Sequence, residues 1–358
     1  MQANIVLLPG DGIGPEVITE ARKVLEIISS IYDHKFHFEE RSFGGIAIDE
    51  HADPLPPDVL EACRGADAVL LGAVGGPKWD DPLADVRPEQ GLLRLRYGLE
   101  LYANLRPIKI YPGLMDASPL RAEKLRDVDF LIVRELTGGI YFGQPRERVE
   151  IEGDIRAVDS MVYTASEIRR VLRLAFQLAA SRRGRVTLVD KANVLETSRL
   201  WREVAKSVSQ EYAHIELDYQ LVDSAAMRIL TSAASFDVLV TANLFGDILS
   251  DEASVLTGSL GMLPSAALGE GSLGLYEPVH GSAPDISGQG VANPIGAILS
   301  AAMLLRHSFK LTEEAHCVEH AVEGAIEDGA RTGDLGGGLS TQEMSTEICA
   351  RLDSRSKE

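Results

Sequence analysis

Residues 237–254 read DVLVTANLFGDILSDEAS, and this stretch joins two kinds of periodicity. Its first part, Asp237 to Thr241, is a short run of aliphatic and β-branched residues, which is typical of a buried strand. The second part spaces its apolar residues as a helix does and places Asp247 and Asp251 four residues apart. Carboxylates at that spacing project from one helix face within about 6 Å of each other. The stretch therefore predicts a strand followed directly by a helix with two acidic groups on one face.

The acidic pair has two interpretations. A cation between Asp247 and Asp251 would relieve their repulsion, and oxygen ligands that leave room for water and substrate suit Mg²⁺ or Mn²⁺. Taken alone, however, the pair favours two solvated carboxylates on an acidic protein, because surface aspartates are common. Asp223, which follows the predicted strand segment YQLV, is a third candidate oxygen ligand.

Composition narrows the class of protein. The chain has 358 residues, of which 45% are hydrophobic, and this length suffices for two domains of ordinary size. A net charge of −19 opposes binding to nucleic acid or to anionic lipid, and no stretch reaches membrane-spanning length. Cys63, Cys317 and Cys349 are far apart and have no metal-ligand spacing, which fits a reducing compartment. We therefore expect a cytoplasmic protein without nucleic-acid or membrane partners.

The N-terminal segment resembles a dinucleotide-binding fingerprint but departs from it. A predicted strand ends at Leu8, GDGIGPEV follows, and a helical pattern begins at about Pro15. The Rossmann fingerprint requires its third glycine at the position of Pro15, so a tight turn with proline at the helix start is favoured over a phosphate loop.

Strands and helices alternate through the following segments, which predicts an α/β architecture. Thr164 to Glu167 forms a capping-box pattern at the start of one helix. The Gly/Pro/Ser-rich segment 258–293 is predicted to form long loops. Asn293 and Pro294 then suit the N-cap and first position of a further helix.

Several charged or polar side chains adjoin apolar segments. Arg96, Arg106 and Arg134 would be costly to bury without partners, and the guanidinium fork of each matches a carboxylate, which suggests a dicarboxylate ligand. A salt-bridged or snorkelling arginine remains the alternative at each position. Lys191 ends the strand pattern RVTLVD, and a lysine near a divalent cation can act as a base. Tyr141, in TGGIYFG, could donate or relay a proton, although a tyrosine in a strand context is more often part of a core.

Together these residues resemble the metal-dependent, NAD(P)-linked β-decarboxylating dehydrogenases, a family whose members act on 3-isopropylmalate, isocitrate, homoisocitrate or tartrate. The resemblance covers nearly the whole chain through segments in the same order: LLPGDGIGPEV, LRxxxxLYANLRP, VRELTGGIYFG, VDKANVLETSRLWREV, NLFGDILSDEAS, GSLGMLPSA and EPVHGSAPDISGQGVANP. It implies an isopropylmalate/isocitrate dehydrogenase-like two-domain α/β/α fold, which is not a Rossmann fold. The first, cofactor-side domain would comprise residues 1–101 and 258–358, and the second, which carries substrate, metal and dimer contacts, residues 102–257.

The resemblance also implies roles for individual residues. Arg96, Arg106 and Arg134 would bind the carboxylates of a 2-hydroxy dicarboxylate, and Tyr141 and Lys191 would form the acid–base pair. The protein would be a homodimer with shared active sites. Asp247 and Asp251 of one subunit would hold Mg²⁺ or Mn²⁺ with Asp223 of the other, and Lys191 would also reach across the interface.

Substrate choice within the family is indicated by the segment GLLRLR. Leu92 and Leu93 could offer an apolar pocket for an isopropyl group, where isocitrate enzymes use a hydroxyl side chain to meet a third carboxylate. Homoisocitrate, tartrate, malate and isocitrate remain alternative substrates. A noncatalytic regulatory subunit of the same fold is a more remote alternative, because such a paralogue would be expected to lack some of these residues.

The cofactor loop implied by the resemblance is HGSAPDISGQGVANP. Asp285 is expected to accept hydrogen bonds from both adenosine ribose hydroxyls and would repel a 2′-phosphate. NADP-dependent members carry Lys and Tyr at the positions of Asp285 and Ile286, so NAD is the expected cofactor. The full set of expected cofactor contacts is Gly76, Lys78, Glu89, His280, Gly281, Ser282, Ala283, Pro284, Asp285, Ile286, Gly288 and Asn293.

Overall fold

A computed structural model describes residues 1–81 and 84–355. Its strands are β1 (Gln2–Gly10), β2 (Lys35–Glu40), β3 (Ala68–Ala73), β4 (Ala103–Lys109), β5 (Asp129–Glu135), β6 (Arg146–Ile151), β7 (Asp154–Asp159), β8 (Arg185–Asp190), β9 (Glu216–Leu221), β10 (Val238–Thr241), β11 (Pro264–Leu268) and β12 (Gly274–Pro278). Its α-helices are α1 (Gly14–Ile31), α2 (Gly45–His51), α3 (Pro57–Gly65), α4 (Pro88–Gly98), α5 (Ala122–Leu125), α6 (Ala165–Ala180), α7 (Glu196–Ser209), α8 (Val222–Ser232), α9 (Asn243–Thr257), α10 (Ile295–His307), α11 (Thr312–Glu327) and α12 (Thr341–Arg355).

The chain forms two compact units. The first comprises Met1–Leu101, Ile110–Pro119 and Ser254–Glu358, and the second comprises Tyr102–Lys109 and Leu120–Ala253. The domain bounds that we expect from the family resemblance stay a prediction.

In the first unit the strand order is β2–β1–β3–β12–β11. All neighbouring pairs are parallel except β11 with β12. Because β1, β3 and β12 point the same way, the loops that follow them leave one edge of the sheet. In the part of the chain that the structure describes, these loops are residues 11–13, 74–81, 84–87 and 279–294. The carboxyl edge of parallel strands is where ligands bind in open α/β sheets.

Helix α10 forms the centre of this unit. Every residue from Ile295 to Leu305 is buried, because α10 packs on β11 and β12 and also contacts α1 and α11. A helix that is apolar on all sides requires such cover.

In the second unit the strand order is β4–β5–β10–β8–β9, and only β4 runs antiparallel to its neighbour. Helices α6, α7 and α8 pack on these strands. Arg134, Asn243, Lys191 and Asp223 lie in or just after the last residues of β5, β10, β8 and β9, and they therefore lie at the same edge of the sheet. Strands β6 and β7 form a separate antiparallel hairpin.

These mainly parallel strands with covering helices confirm the predicted α/β class. The strand–helix transition predicted for residues 237–254 is β10 followed by α9. The capping box is also confirmed, since Thr164 Oγ1 accepts from the Glu167 amide at 3.3 Å and Glu167 Oε2 accepts from the Thr164 amide at 2.7 Å.

Other local predictions were wrong. Segment 258–293 contains β11 and β12, whose sequences PSAAL and GLYEP have no β-branched residues; sheet pairing, rather than propensity, makes them strands. Helix α10 begins at Ile295, one residue later than predicted, although Asn293 Oδ1 still accepts from the Ile295 amide at 3.0 Å. Tyr141 lies in a turn rather than a strand, and Asp223 lies in the first turn of α8.

Within the described residues, no helix is both long enough and apolar enough to cross a lipid bilayer.

Candidate active site

Arg134 is a buried charged residue of the second unit. It is the next-to-last residue of β5 and is only 4% exposed. Its Nη1 pairs with Asp247 Oδ1, while its Nε and Nη2 donate to Asn243 Oδ1 at 3.0 and 2.9 Å. The prediction that this arginine needs a partner is confirmed, and its guanidinium is held on two sides.

Arg106, on β4, faces the same helix. Its Nε donates to Asn104 Oδ1 at 2.8 Å, and its Nη1 donates to the Ser250 hydroxyl and to Asp251 Oδ1, the latter at 3.3 Å. Its Nη2 lies 3.7 Å from Asp247 Oδ1. Two arginines thus balance the two aspartates that α9 presents on one face. Burial raises the pKa of the Asp251 carboxyl against the opposing charge of Arg106, and the charge of Asp247 raises it further.

Tyr141 belongs to the same cluster. Its hydroxyl donates to Asp247 Oδ2 at 2.7 Å, and the Arg134 guanidinium carbon lies 5.7 Å from the centre of its ring. Burial, assisted by the hydrogen bond to Asp247, raises the pKa of Tyr141 to about 12. The phenol therefore carries its proton at neutral pH and is suited to act as an acid.

A buried polar network that sequence reasoning missed supports this cluster. Asn243 is 1% exposed; its amide nitrogen Nδ2 donates to the Gly138 carbonyl at 3.3 Å, and its backbone N–H donates to the Tyr163 hydroxyl at 2.9 Å. Glu135 accepts from the backbone N–H groups of Thr137 and Gly138 at 2.7 and 2.9 Å. Burial raises the pKa of Glu135 and of Tyr163. Asn243 thereby ties Arg134 to the turn that carries Tyr141.

One signal could have found Asn243: it follows β10 as closely as other site residues follow their strands. Glu135 and Tyr163 gave no comparable signal, because their partners come from distant parts of the chain.

Lys191 and Asp223 form a second polar pair in this unit. Lys191 Nζ donates to Asp223 Oδ1 at 2.5 Å, and this hydrogen bond holds the pKa of the Asp223 carboxyl below its ordinary value. Across the described residues, no three His, Cys, Asp or Glu side chains form a group suited to a metal ion. Asp223 is therefore not grouped with Asp247 and Asp251 within this chain.

In the first unit, α4 carries three of the predicted substrate contacts. Leu92 and Leu93 are half-buried. Arg96 Nη2 donates to Glu277 Oε1 at 2.7 Å, and both side chains are buried. Arg96 Nε is also buried and has no acceptor among the residues described, so this N–H could serve a ligand oxygen.

The loop after β3 carries the predicted contacts Gly76 and Lys78. Lys78 Nζ already pairs with Asp49 Oδ2 at 2.5 Å, in an exposed setting, and Trp79 Nε1 donates to the other oxygen of the same carboxylate at 3.2 Å. Glu89, on α4, lies beside this loop, since a Cβ atom on Gly75 would come within 2.9 Å of Glu89 Oε1.

The loop after β12 has the features of a nucleotide contact surface. The Asp285 carboxylate is exposed and has no hydrogen-bond partner among residues 1–81 and 84–355. His280 Nδ1 lies 2.8 Å from the Gly281 carbonyl oxygen, whereas its Nε2 is buried and unpaired within the same residues. Burial lowers the pKa of His280, which favours the neutral ring. A Cβ atom at Gly281 or Gly288 would meet open space, so a ligand could approach the backbone there.

Of the remaining loop positions, Ser282 is buried, Ala283 and Ile286 are half-buried, and Pro284 is exposed. The Asn293 side chain faces the protein rather than open space: its Nδ2 donates to Asp334 Oδ2 at 3.1 Å. The exposed acceptor Asp285, the open glycines and the unpaired His280 nitrogen fit the adenosine half of a dinucleotide.

In the second unit, two arginines, a tyrosine and two carboxylates form one cluster that suits an anionic hydroxy acid. In the first unit, the loop after β12 suits a nucleotide. Together these features are typical of a dehydrogenase that acts on hydroxy acids. A family model described as isocitrate/isopropylmalate dehydrogenase matches residues 4–348. The chain belongs to this family, and the resemblance predicted from the motifs is confirmed.

Individual relatives agree with this assignment. The chain is 61% identical to the 3-isopropylmalate dehydrogenase of Anaeromyxobacter dehalogenans over 98% of this chain and 100% of that protein. It is 58% identical to the 3-isopropylmalate dehydrogenase of Bacillus subtilis over 98% of each chain. Among solved structures, the isocitrate dehydrogenase of Methylococcus capsulatus superposes with a TM-score of 0.87 at 36% identity, covering 98% of this chain and 99% of that one.

Proposed function

We propose that the protein catalyses the NAD-dependent oxidative decarboxylation of 3-isopropylmalate to 4-methyl-2-oxopentanoate and CO₂, a step of leucine biosynthesis. The observation that carries this proposal is the 61% identity, over nearly the whole of both chains, to a 3-isopropylmalate dehydrogenase. The cluster of Arg106, Arg134, Tyr141, Asp247 and Asp251 supplies the chemistry that this reaction requires.

The donor set fits a divalent cation. Asp247 and Asp251 offer carboxylate oxygens from one face of α9, and Mg²⁺ or Mn²⁺ accepts a few carboxylates together with water or substrate oxygens. Asp223 of the partner subunit would be the third ligand. When bound, the cation supplies positive charge beside the C2 oxygen of the substrate, and the nicotinamide of NAD accepts the C2 hydrogen with its electron pair.

The arginines hold the substrate. Arg106 and Arg134 now pair with Asp247 and Asp251, so a dicarboxylate and a cation could exchange these partners without leaving a buried charge unpaired. Arg96 would contribute its unpaired Nε. The dicarboxylate and the cation must therefore bind together. The cation alone would face the positive charges of the arginines, and the dicarboxylate alone would face the negative charges of the aspartates.

Lys191 and Tyr141 move the protons. Lys191, acting through a water, takes the proton of the C2 hydroxyl as C2 is oxidised. The resulting β-keto acid loses the carboxylate on C3 as CO₂, and Tyr141 then gives its proton to C3. Burial raises the pKa of that phenol, so it carries its proton at neutral pH before the reaction begins. Lys191 takes one proton and Tyr141 gives one, so the reaction releases no net proton.

Asp285 supports NAD as the cofactor. Its exposed carboxylate can accept from both ribose hydroxyls, and it would repel the 2′-phosphate of NADP. Leu92 and Leu93 support the isopropyl substrate over homoisocitrate, tartrate, malate or isocitrate. A noncatalytic role is disfavoured because every residue needed for the reaction is present.

We further infer a cytoplasmic homodimer with shared active sites. Met227 on α8 and Ile248 on α9 are 63% and 58% exposed, and large apolar side chains on exposed helices are suited to a subunit interface. The close Lys191–Asp223 pair would deliver a base and a metal ligand together to the partner's site.

Initial rates of NADH formation test the substrate. We expect kcat/KM for 3-isopropylmalate to exceed that for isocitrate, homoisocitrate, tartrate and malate by about 100-fold or more. An apolar pocket gains binding energy from an isopropyl group, and it leaves the third carboxylate of isocitrate or homoisocitrate unpaired. The same assay with NADP should be markedly slower than with NAD. A preference for isocitrate or for NADP would contradict the proposal.

A further inference from the structure

The N-terminal segment that resembles a dinucleotide fingerprint packs against the loop that follows β12. The Ile13 amide donates to the Ser282 carbonyl at 2.9 Å. A Cβ atom on Gly12, whose φ is +58°, would lie 2.0 Å from the Ser282 carbonyl oxygen. Only glycine permits this approach. The glycines of this segment therefore serve a contact between two parts of the protein.

Glu16, in the first turn of α1, extends that contact. Its Oε1 accepts from the Gly288 amide at 2.6 Å, and its Oε2 accepts from the Gly290 amide at 3.0 Å. Both glycines have positive φ, and a Cβ atom on either would meet open space. Backbone hydrogen bonds from Ile286 to Ala283 and from Gln289 to Ile286 shape the turn itself. The two charge-assisted hydrogen bonds to Glu16 anchor its end to α1.

The same turn carries Asp285. Gln289, which lies between the two glycines, donates from Nε2 to the Asp285 carbonyl at 2.8 Å. Among the described residues, Gly290 makes one other backbone hydrogen bond: its carbonyl accepts from the Thr341 amide at 2.8 Å. The position of the Asp285 carboxylate is therefore coupled to the Glu16 carboxylate through one short stretch of backbone.

We propose that Glu16 is a positioning residue for the cofactor: it fixes the turn 285–290 so that Asp285 meets the adenosine ribose of NAD. This inference rests on the proposed cofactor site. Glu16 itself does not contact the cofactor. Without it, the turn must be ordered when the dinucleotide binds, and that ordering weakens binding of the adenosine half.

Hydrogen exchange of the free protein tests the structural part. In Glu16→Ala the amides of Gly288 and Gly290 should exchange at least about tenfold faster, because both lose their acceptor. Glu26→Ala is the matched control, since Glu26 lies on the same helix and its one ion pair among the described residues is with Arg22 on the surface. The control should exchange as the wild type does. Equal exchange of this turn in all three proteins would overturn the proposal.

Calorimetric binding of ADP-ribose and of reduced nicotinamide mononucleotide tests the functional part. Glu16→Ala should bind ADP-ribose at least about fivefold more weakly, with unchanged affinity for the mononucleotide and unchanged kcat at saturating NAD. Glu16→Gln retains one acceptor and should fall between the wild type and Glu16→Ala, and it replaces the alanine variant if that protein does not fold. Wild-type protein that fails to bind ADP-ribose would overturn the cofactor site and this proposal together. Wild-type affinity retained by the Glu16 variants would overturn the positioning role alone.

Discussion

Asp247 contacts both arginines and the tyrosine of the proposed site. Its carboxylate accepts from Arg134 and Tyr141, lies 3.7 Å from Arg106, and is the leading candidate for a metal ligand. In the proposed mechanism, one side chain thus links substrate binding, proton supply and cation binding. Removing its charge should therefore affect all three functions together.

Asp247→Asn should lower kcat/KM by at least about 100-fold, or about 3 kcal/mol, because a charged ligand of the Lewis acid is lost. Binding of Mn²⁺, measured by electron paramagnetic resonance with 3-isopropylmalate present, should weaken in parallel. Glu252→Gln is the control, since Glu252 lies on the same helix and no partner for its carboxylate is found in the described residues. Full activity in Asp247→Asn after removal of metal by EDTA would contradict the metal-dependent mechanism.

The residues found from sequence share one property. Arg106 and Arg134 are charged residues in apolar strand segments. A buried charge requires a partner or a ligand, so such positions can be recognised from the sequence. Asn243 and Tyr163 were missed because neutral polar groups in apolar segments are ordinary until their distant partners are known. Networks of this kind depend on which strands become neighbours, and no local pattern encodes that.

At the scale of elements, periodicity located the helices and strands whose apolar pattern is strong, such as α1, β10 and α9. It failed at β11 and β12, where small residues and proline form strands only because β12 pairs with β3 and β11 with β12. The hairpin of β6 and β7 was missed as well, since most of its residues are exposed and carry charge.

The end of the buried helix α10 gives a pH-dependent prediction. Burial, together with the nearby charges of Arg306 and Lys310, lowers the pKa of His307 to about 4. In the unfolded chain this histidine binds a proton near pH 6.5, so its contribution to stability is present above pH 6.5 and is lost as pH falls toward 4. Lowering the pH from 7.5 to 5 should therefore cost about 2 kcal/mol of unfolding free energy through this group alone.

Urea unfolding at the two pH values measures this contribution. His307→Gln should lose about 2 kcal/mol less than the wild type over the interval, whatever its stability at pH 7.5. His316→Gln, at an exposed position on α11, should behave as the wild type does. An identical pH dependence in His307→Gln and the wild type would show that His307 titrates normally in the folded protein.

At the scale of the whole molecule, the proposed reaction needs a base and metal ligands that form two separate polar groups within one chain. Lys191 pairs with Asp223, whereas Asp247 and Asp251 meet the arginines, and within the described part of the chain no three acidic groups gather around a metal position. A two-fold dimer would resolve this, because an isologous interface builds two equivalent composite sites. The proposed active site therefore requires a second subunit.

Complementation between two inactive variants tests this claim most directly. Lys191→Ala and Asp247→Asn homodimers should each be nearly inactive with 3-isopropylmalate and NAD. When the two are unfolded together and refolded, a mixed dimer gathers both lesions in one site and leaves the other intact. Random pairing makes about half of the dimers mixed, and each has one working site of two, so activity should recover to roughly a quarter of the wild-type value. Verified mixed dimers that stay as inactive as their parents would show that Lys191 and Asp247 serve one site from the same chain.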